Sequence, residues 1–211
     1  MILTADQKDS VTELVNIAFS RTAAALSELT GHRVEITVPE LSAIPIADLL
    51  PALGHFVRGD VATIHQIFGG PVCGDAFLVL DVGGATRLVD LLTNAGAPTQ
   101  KMGESTREVL TEVGNIILNA CLGVFGDLLQ VRFTFAVPRL HLESLGSMLS
   151  SLVIDEHELR HALLVATQFR VQASEVTGCL VLVLGVTSLD LFIQAIEDWA
   201  ERSLSGNDLA E

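Results

Sequence analysis

Basic residues are scarce: 12 Lys and Arg stand against 26 Asp and Glu, a formal net charge of −14. No stripe of cations exists to neutralise phosphates, which argues against a nucleic-acid partner. The same deficit disfavours an anionic membrane surface. A protein is the partner such a chain is expected to take. Long apolar runs are missing too. The strongest, LVLVLGV from Leu180 to Val186, has the length of a strand and not the roughly 18 residues of a membrane helix. The opening MILTADQKDS lacks the basic flank and apolar core of a signal peptide. The expectation is a cytoplasmic protein without membrane insertion. Cysteines number three, Cys73, Cys121 and Cys179, far apart and in apolar surroundings. Without a CxxC pair they carry no zinc or redox signature and are expected as buried, reduced thiols.

What the chain does have is a phrase written twice. TELVNI, Thr12 to Ile17, returns as TEVGNI, Thr111 to Ile116. At this offset of 99, Asp9–Leu41 aligns with Glu108–Leu140, and Thr12, Glu13, Asn16, Ile17, Leu29, Arg33, Val38, Pro39 and Leu41 meet identical residues. Farther on the offset becomes 104: Val61-Ala62-Thr63 matches Val165-Ala166-Thr167, and GDAFLVLDV matches GCLVLVLGV. An ordered duplication of this extent points to one domain, 1–211, made of two pseudo-symmetric halves, about 1–98 and 99–211. Their seam is expected in NAGAPTQKMG, 94–103, and a frayed end in SGNDLAE.

Each half reads alike. Helical periodicity runs over 4–29 and 105–129, opened by TADQ and STRE, both capping-box patterns. An alternating stretch follows, RVEITVPEL or RFTFAVPRL, which reads as a strand. Next comes a short connection (ADLLPALG; LGSMLSSL), then strand-like runs near 57–68 and 72–82, or 160–172 and 176–186. Helices near 84–94 and 188–203 close the halves. The order α-β-α-β-β-α, twice over, predicts an α/β (α+β) fold with long helices packed on a largely antiparallel sheet.

The helical wheel separates two faces. In the first helix Val11, Leu14, Val15, Ala18, Ala25, Leu26 and Leu29 fall within roughly 60° of one direction, the core face. Asp9, Glu13, Asn16 and Ser20 fall roughly opposite, toward solvent. In the second, Leu110, Val113, Ile117, Cys121, Val124 and Leu128 form the core face, and Glu108, Glu112, Asn115 and Asn119 the outer one. Each Glu/Asn pair is spaced i, i+3, so its side chains are neighbours. An exposed Glu on a helix is ordinary. Asn is a poor mid-helix residue, and its recurrence at one place on one face is hard to ascribe to folding.

Those residues resemble the motif of the CheC/CheX/FliY family of chemotaxis phosphatases: Asp or Ser, three residues, Glu, two residues, Asn, twenty-two residues, Pro. Asp9, Glu13, Asn16 and Pro39 match every position; in the second half Glu112, Asn115 and Pro138 match. Length and the doubled motif favour the CheC type. The resemblance implies hydrolysis of the aspartyl phosphate of a CheY-type response regulator. Asn16 and Asn115 would orient the attacking water, and Glu13 and Glu112 would pair with the regulator's lysine. It implies no cofactor of the chain's own, since Mg²⁺ is expected on the regulator. It adds CheD, a receptor-modifying deamidase, as a further partner. The alternative is a non-catalytic module of the same fold that captures the phosphorylated regulator or CheD. Symmetry within one chain makes a monomer the expected state. Pro39 and Pro138, lacking an N–H, are expected at a strand end, edge or bulge.

Glu108 departs from the pattern, standing where the family prefers Asp or Ser. It also stands third after Ser105, where its carboxylate could fold back onto the helix start. The first site is therefore expected to be sound and the second weaker. Two other motifs are set aside. HELRH, His157 to His161, spells a zinc-protease signature, but the following ALLVATQFRVQ reads as a strand and the third ligand is missing. GGATR after Leu80-Asp81-Val82 lacks the full phosphate-loop pattern and reads as a Gly-Gly turn.

Overall fold

A computed structural model describes residues 3–31, 33–57, 59–93, 102–152, 160–171 and 174–207. Helix α1, Ala5–Thr30, starts on the expected capping box: Thr4 Oγ1 accepts from the Gln7 N–H, and the Gln7 side chain accepts from the Thr4 N–H. Strand β1 (Val34–Pro45) is longer than its sequence pattern suggested; a 3-10 turn, Ile46–Asp48, and the short helix α2, Leu49–Leu53, follow it. Strands β2 (Asp60–Gly69) and β3 (Gly74–Asp81) and helix α3 (Val82–Thr93) complete the first half. The second half runs α4 (Glu104–Leu129), β4 (Thr134–Phe135), β5 (Arg139–Ser144), α5 (Leu145–Leu152), β6 (Arg160–Val171), β7 (Ser174–Gly185) and α6 (Val186–Asn207).

The seven strands form one sheet in which every pairing is antiparallel. Its order is β1-β6-β7-β3-β2, with β4 and β5 sharing the outer edge of β2. Exchanging β1, β2 and β3 for β5, β6 and β7 reverses this order onto itself. The pseudo-dyad can be located. At its centre Phe77 pairs with Val181, its own equivalent at the 104 offset. Above them Thr22 Oγ1 and Cys121 Sγ, equivalents at the 99 offset, lie 3.4 Å apart where α1 packs on α4. A dyad normal to the sheet makes α1 and α4 antiparallel, meeting near their C-terminal ends.

Alternation along the strands builds two cores. Ala62, Ile64 and Phe68 on β2, Ala76, Leu78 and Leu80 on β3, and Leu180, Leu182 and Leu184 on β7 face the layer of α1, α3, α4 and α6. Val61, Phe77, Val79, Val181 and Val183 face the opposite way, onto α2 and Met148 of α5. By length and composition α4 is apolar enough to cross a bilayer, a feature not visible in uninterrupted runs. Here half of that window is buried, and the helix packs against α1, α3, α6 and β2.

Several expectations need correction. Ala25 is exposed while Phe19, about 80° from Val11 on the wheel, is buried, because α1 passes from α4 to β1 and its buried stripe drifts around the helix. Ser105 caps nothing: α4 begins at Glu104 behind Gly103, with no side-chain cap. RFTFAVPRL is two strands, β4 and β5, with a break at Ala136–Pro138. Gly83 and Gly84 are helical, not a turn. They form the start of α3, where the Gly84 N–H donates to Asp81 Oδ1 at 2.7 Å and an added Cβ at Gly84 would lie 2.9 Å from Asp81 Oδ2. A carboxylate thus already fills the place a phosphate would take. Cys73 is exposed, beside Ser188, whereas Cys121 and Cys179 are buried as expected. The tail stays helical through Asn207; residues 208–211 lie outside the described residues, as do 94–101 of the seam and His157 of HELRH. His161 of that motif falls in β6. Among the described residues no group of His, Cys, Asp and Glu could hold a metal ion.

Candidate functional site

Two copies of the Glu/Asn pair sit on the two central helices. On α1, burying Val11, Leu14, Val15 and Ala18 turns Asp9, Glu13 and Asn16 outward, and all three are exposed. The capping box and a hydrogen bond from Gln7 Nε2 to Glu197 Oε1 (2.8 Å), on α6, anchor the N-terminal end that carries them. Among the described residues the Asn16 amide has no partner, so both its donor and its acceptor are open to a docked molecule. Where α1 and α4 meet, Thr22 donates to the Ala18 carbonyl, leaving the Cys121 thiol to donate to Thr22. Burial pushes that thiol's pKa up to about 12. From this contact to Asn16 or Asn115 is six residues, so the two Asn lie about 18 Å apart along the antiparallel pair at 1.5 Å per residue.

The second pair differs. Glu108 and Glu112 are exposed on α4 as expected, and Glu112 edges a groove of about 330 Å³ lined by Leu26, Leu92, Val109, Val113 and Ile116. Asn115 and Asn119, expected on the open face, are instead half-buried. The cause is one residue. Gly114 stands where α1 has Val15, and a Cβ there would lie 2.6 Å from Ile64 Cγ1 of β2. The missing side chain lets α4 settle onto β2, and the neighbouring Asn residues reach Gln66. Asn119 Nδ2 donates to Asn115 Oδ1 at 2.7 Å. Gln66 Nε2 donates to Asn119 Oδ1 (3.0 Å) and to the Ala136 carbonyl (3.1 Å), with a longer contact of 3.4 Å to Asn115 Oδ1. The wheel assigned Asn119 to solvent and gave no weight to Gln66; the Gly in TEVGNI was the available signal for this close approach.

Both motif prolines stand at interruptions of the ladder. Around Pro39 the β1–β6 register slips by one residue between Thr37 and Glu40. Around Pro138 the chain leaves β4 after Phe135 and re-enters as β5 at Arg139, again with one extra residue opposite β2. Such bulges re-aim neighbouring groups; at Ala136 the carbonyl turns to Gln66.

No family model matches the chain. A curated protein, the CheY-P phosphatase CheC of Bacillus subtilis (strain 168), is 24% identical over 166 residues, covering 77% of this chain and 79% of that protein. FliY of Thermotoga maritima has the same fold, with TM-score 0.77 at 16% identity, over 94% of this chain and all of that one. The FliM middle domain of H. pylori also shares it, with TM-score 0.67 at 10% identity, over 92% of this chain and 99% of that one. These likenesses show that the chain shares the fold of FliY and of the FliM middle domain, and the CheC likeness supports the resemblance carried by its two Glu/Asn helices.

Proposed function

We propose that this chain is a phosphatase for the aspartyl phosphate of a CheY-type response regulator, acting in the cytoplasm as a monomer. The single observation that carries this reading is the exposed Glu13–Asn16 pair on a helix anchored at its N-terminus, in a chain related to a CheY-P phosphatase. α1 would lie against the regulator's active site. Glu13 would pair with a lysine beside the acyl phosphate and fix the docking register. Asn16 would enter the site and hold a water in line with phosphorus. Its Oδ1 accepts from the water's O–H, which turns a lone pair toward phosphorus, while its Nδ2 can donate to a phosphoryl oxygen. The water oxygen bonds to phosphorus as the bond to the aspartyl oxygen breaks; the carboxylate leaves with the electron pair and the water's protons pass to the phosphate. Mg²⁺ on the regulator offsets the charge, so the reaction asks for no metal from this chain. Asp9 and Glu108 support the docking face, and Pro39 and Pro138 set the bulges beneath it. The two halves descend, in this reading, from one duplicated unit.

The test is decay of phosphate on a purified, Mg²⁺-loaded regulator, with wild type, Asn16→Ala, Asn115→Ala and the double variant. Removing a water-orienting group is expected to cost about 10²-fold or more at its site. Wild type should accelerate decay and the double variant should not. If wild type leaves decay unchanged, the second reading takes over: a binding module for the phosphorylated regulator or for CheD. That reading draws on the FliM-like fold and on an Asn115 whose oxygen is already engaged.

A further inference from the structure

We infer that Asn119 and Gln66 are positioning residues that set the amide polarity of Asn115 and withhold its oxygen from the second site. The inference rests on the phosphatase reading for its consequence but not for its geometry. It starts at the Ala136 carbonyl, which can only accept. The Gln66 atom facing it at 3.1 Å is therefore the donor, Nε2. The other hydrogen of that NH₂ goes to Asn119 Oδ1 at 3.0 Å. With its oxygen so fixed, Asn119 offers Nδ2 to Asn115 Oδ1 at 2.7 Å. Each amide dictates the orientation of the next, and the last link leaves Asn115 with its oxygen turned inward and its NH₂ outward.

Gln66 is 1% exposed, and its Oε1 is buried without a partner among the described residues. A buried unpaired oxygen is costly, yet flipping Gln66 to relieve it would set oxygen against the Ala136 oxygen. The relay is thus locked at its buried end by a backbone group, and that group is held where the bulge before Pro138 puts it. The first site has no such lock. The equivalent of Asn119 at the 99 offset is Ser20, which is exposed, and the Asn16 amide has no partner among the described residues. A water that must donate its O–H to an amide oxygen finds that oxygen at Asn16 and not at Asn115. The two sites would divide the work: both can dock a phosphorylated regulator, and the first hydrolyses faster.

The experiment transplants the first-site residue, Asn119→Ser, into an Asn16→Ala background, so that only the second site reports. Acceleration of regulator-phosphate decay should rise about fivefold, the population ratio one net hydrogen bond supports. Adding Asn115→Ala should abolish it. An unchanged or lower rate in the Asn119→Ser variant would overturn the inference. A second readout is independent of catalysis: ¹⁵N relaxation of the Asn side-chain NH₂ groups. Asn115 should be ordered in wild type and as mobile as Asn16 in Asn119→Ser. Equal mobility of the two in wild type overturns the relay even if no phosphatase activity is found. Loss of activity in wild type with an ordered Asn115 instead counts against the phosphatase reading alone.

Discussion

Gly114→Ala puts two physical effects against each other, and their sizes decide the sign. In a helix interior Ala is favoured over Gly by about 1 kcal/mol, so on propensity alone the change stabilises. A Cβ at position 114, however, would lie 2.6, 2.8 and 2.9 Å from Cγ1, Cγ2 and Cβ of Ile64. All three atoms belong to the stiff, branched base of a fully buried side chain on β2, so none can swing aside. Overpacking of this kind costs about 1–3 kcal/mol, and three simultaneous overlaps place it near the top of that range. The net expectation is a loss of about 2 kcal/mol, or about 4–8 °C in Tm for a chain of this size. Gly123 supplies the control. It lies on the same helix, and a Cβ there meets nothing within 4 Å among the described residues; Gly123→Ala should raise stability by about 0.5–1 kcal/mol. Thermal and urea unfolding followed by circular dichroism read both variants. If Gly114→Ala is as stabilising as Gly123→Ala, the close approach of α4 to β2 is refuted, and with it the account of why Asn115 is half-buried.

Both long helices end in the left-handed region at equivalent positions, Gly31 at φ 67° and Gln130 at φ 58°. A left-handed residue with a side chain costs about 1–2 kcal/mol, so Gln130→Gly should stabilise by up to about 1 kcal/mol once Gly's greater unfolded-state entropy is counted, read in the same unfolding assay. The cysteines should titrate unequally. Burial raises the pKa of Cys121 and Cys179 to about 12 from 9.0, and Cys73 is exposed, so a thiol reagent at pH 8 should label one thiol in the native protein and three in denaturant. The sign in pH follows from linkage. Between about pH 9 and 12 the native state holds protons that the unfolded state releases, so stability from these groups is intact below pH 9 and falls above it; urea midpoints at pH 8 and pH 10.5 check this.

Period and punctuation made most of the fold legible. The long helices and the β2–β3 and β6–β7 hairpins follow from periodicity, alternation and the offsets of the repeat, because local patterning and burial agree there. The Thr4 capping box was readable to the residue, since all its parts are local. Its apparent twin at Ser105 was not. The second helix starts one residue earlier, and the same pattern falls inside the first turn. The split of RFTFAVPRL and the bulge at Pro39 depend on register against another strand, which a single segment does not carry. The outward face of α1 follows from the wheel, with Val11, Leu14, Val15 and Ala18 buried and Asp9, Glu13 and Asn16 exposed. The outward face of α4 was partly wrong because Gly114 changes a distance, and a helical wheel contains angles only.

The asymmetry of the two Glu/Asn pairs therefore has its source outside the motif residues. Glu and Asn are the same in both halves, and the change at Glu108 leaves that side chain exposed, as Asp9 is. What differs are the supports. Gly114 replaces Val15, Asn119 replaces Ser20, and Gln66 occupies the β2 position whose equivalent in β6 is Arg170. Any one of these alone would accomplish little. The glycine brings α4 onto β2, Gln66 orients Asn119, and Asn119 gives Asn115 Oδ1 its short donor at 2.7 Å, while Gln66 Nε2 itself stands 3.4 Å from that oxygen. Together they engage one acceptor atom. Pseudo-symmetry makes such divergence inexpensive: residues on the dyad, Thr22 against Cys121 and Phe77 against Val181, must fit their own counterparts and are constrained jointly. Positions a few turns away face different neighbours in each half and can vary independently. A fold with this internal symmetry can leave the Asn16 amide open to solvent while tying the Asn115 oxygen to its own side chains.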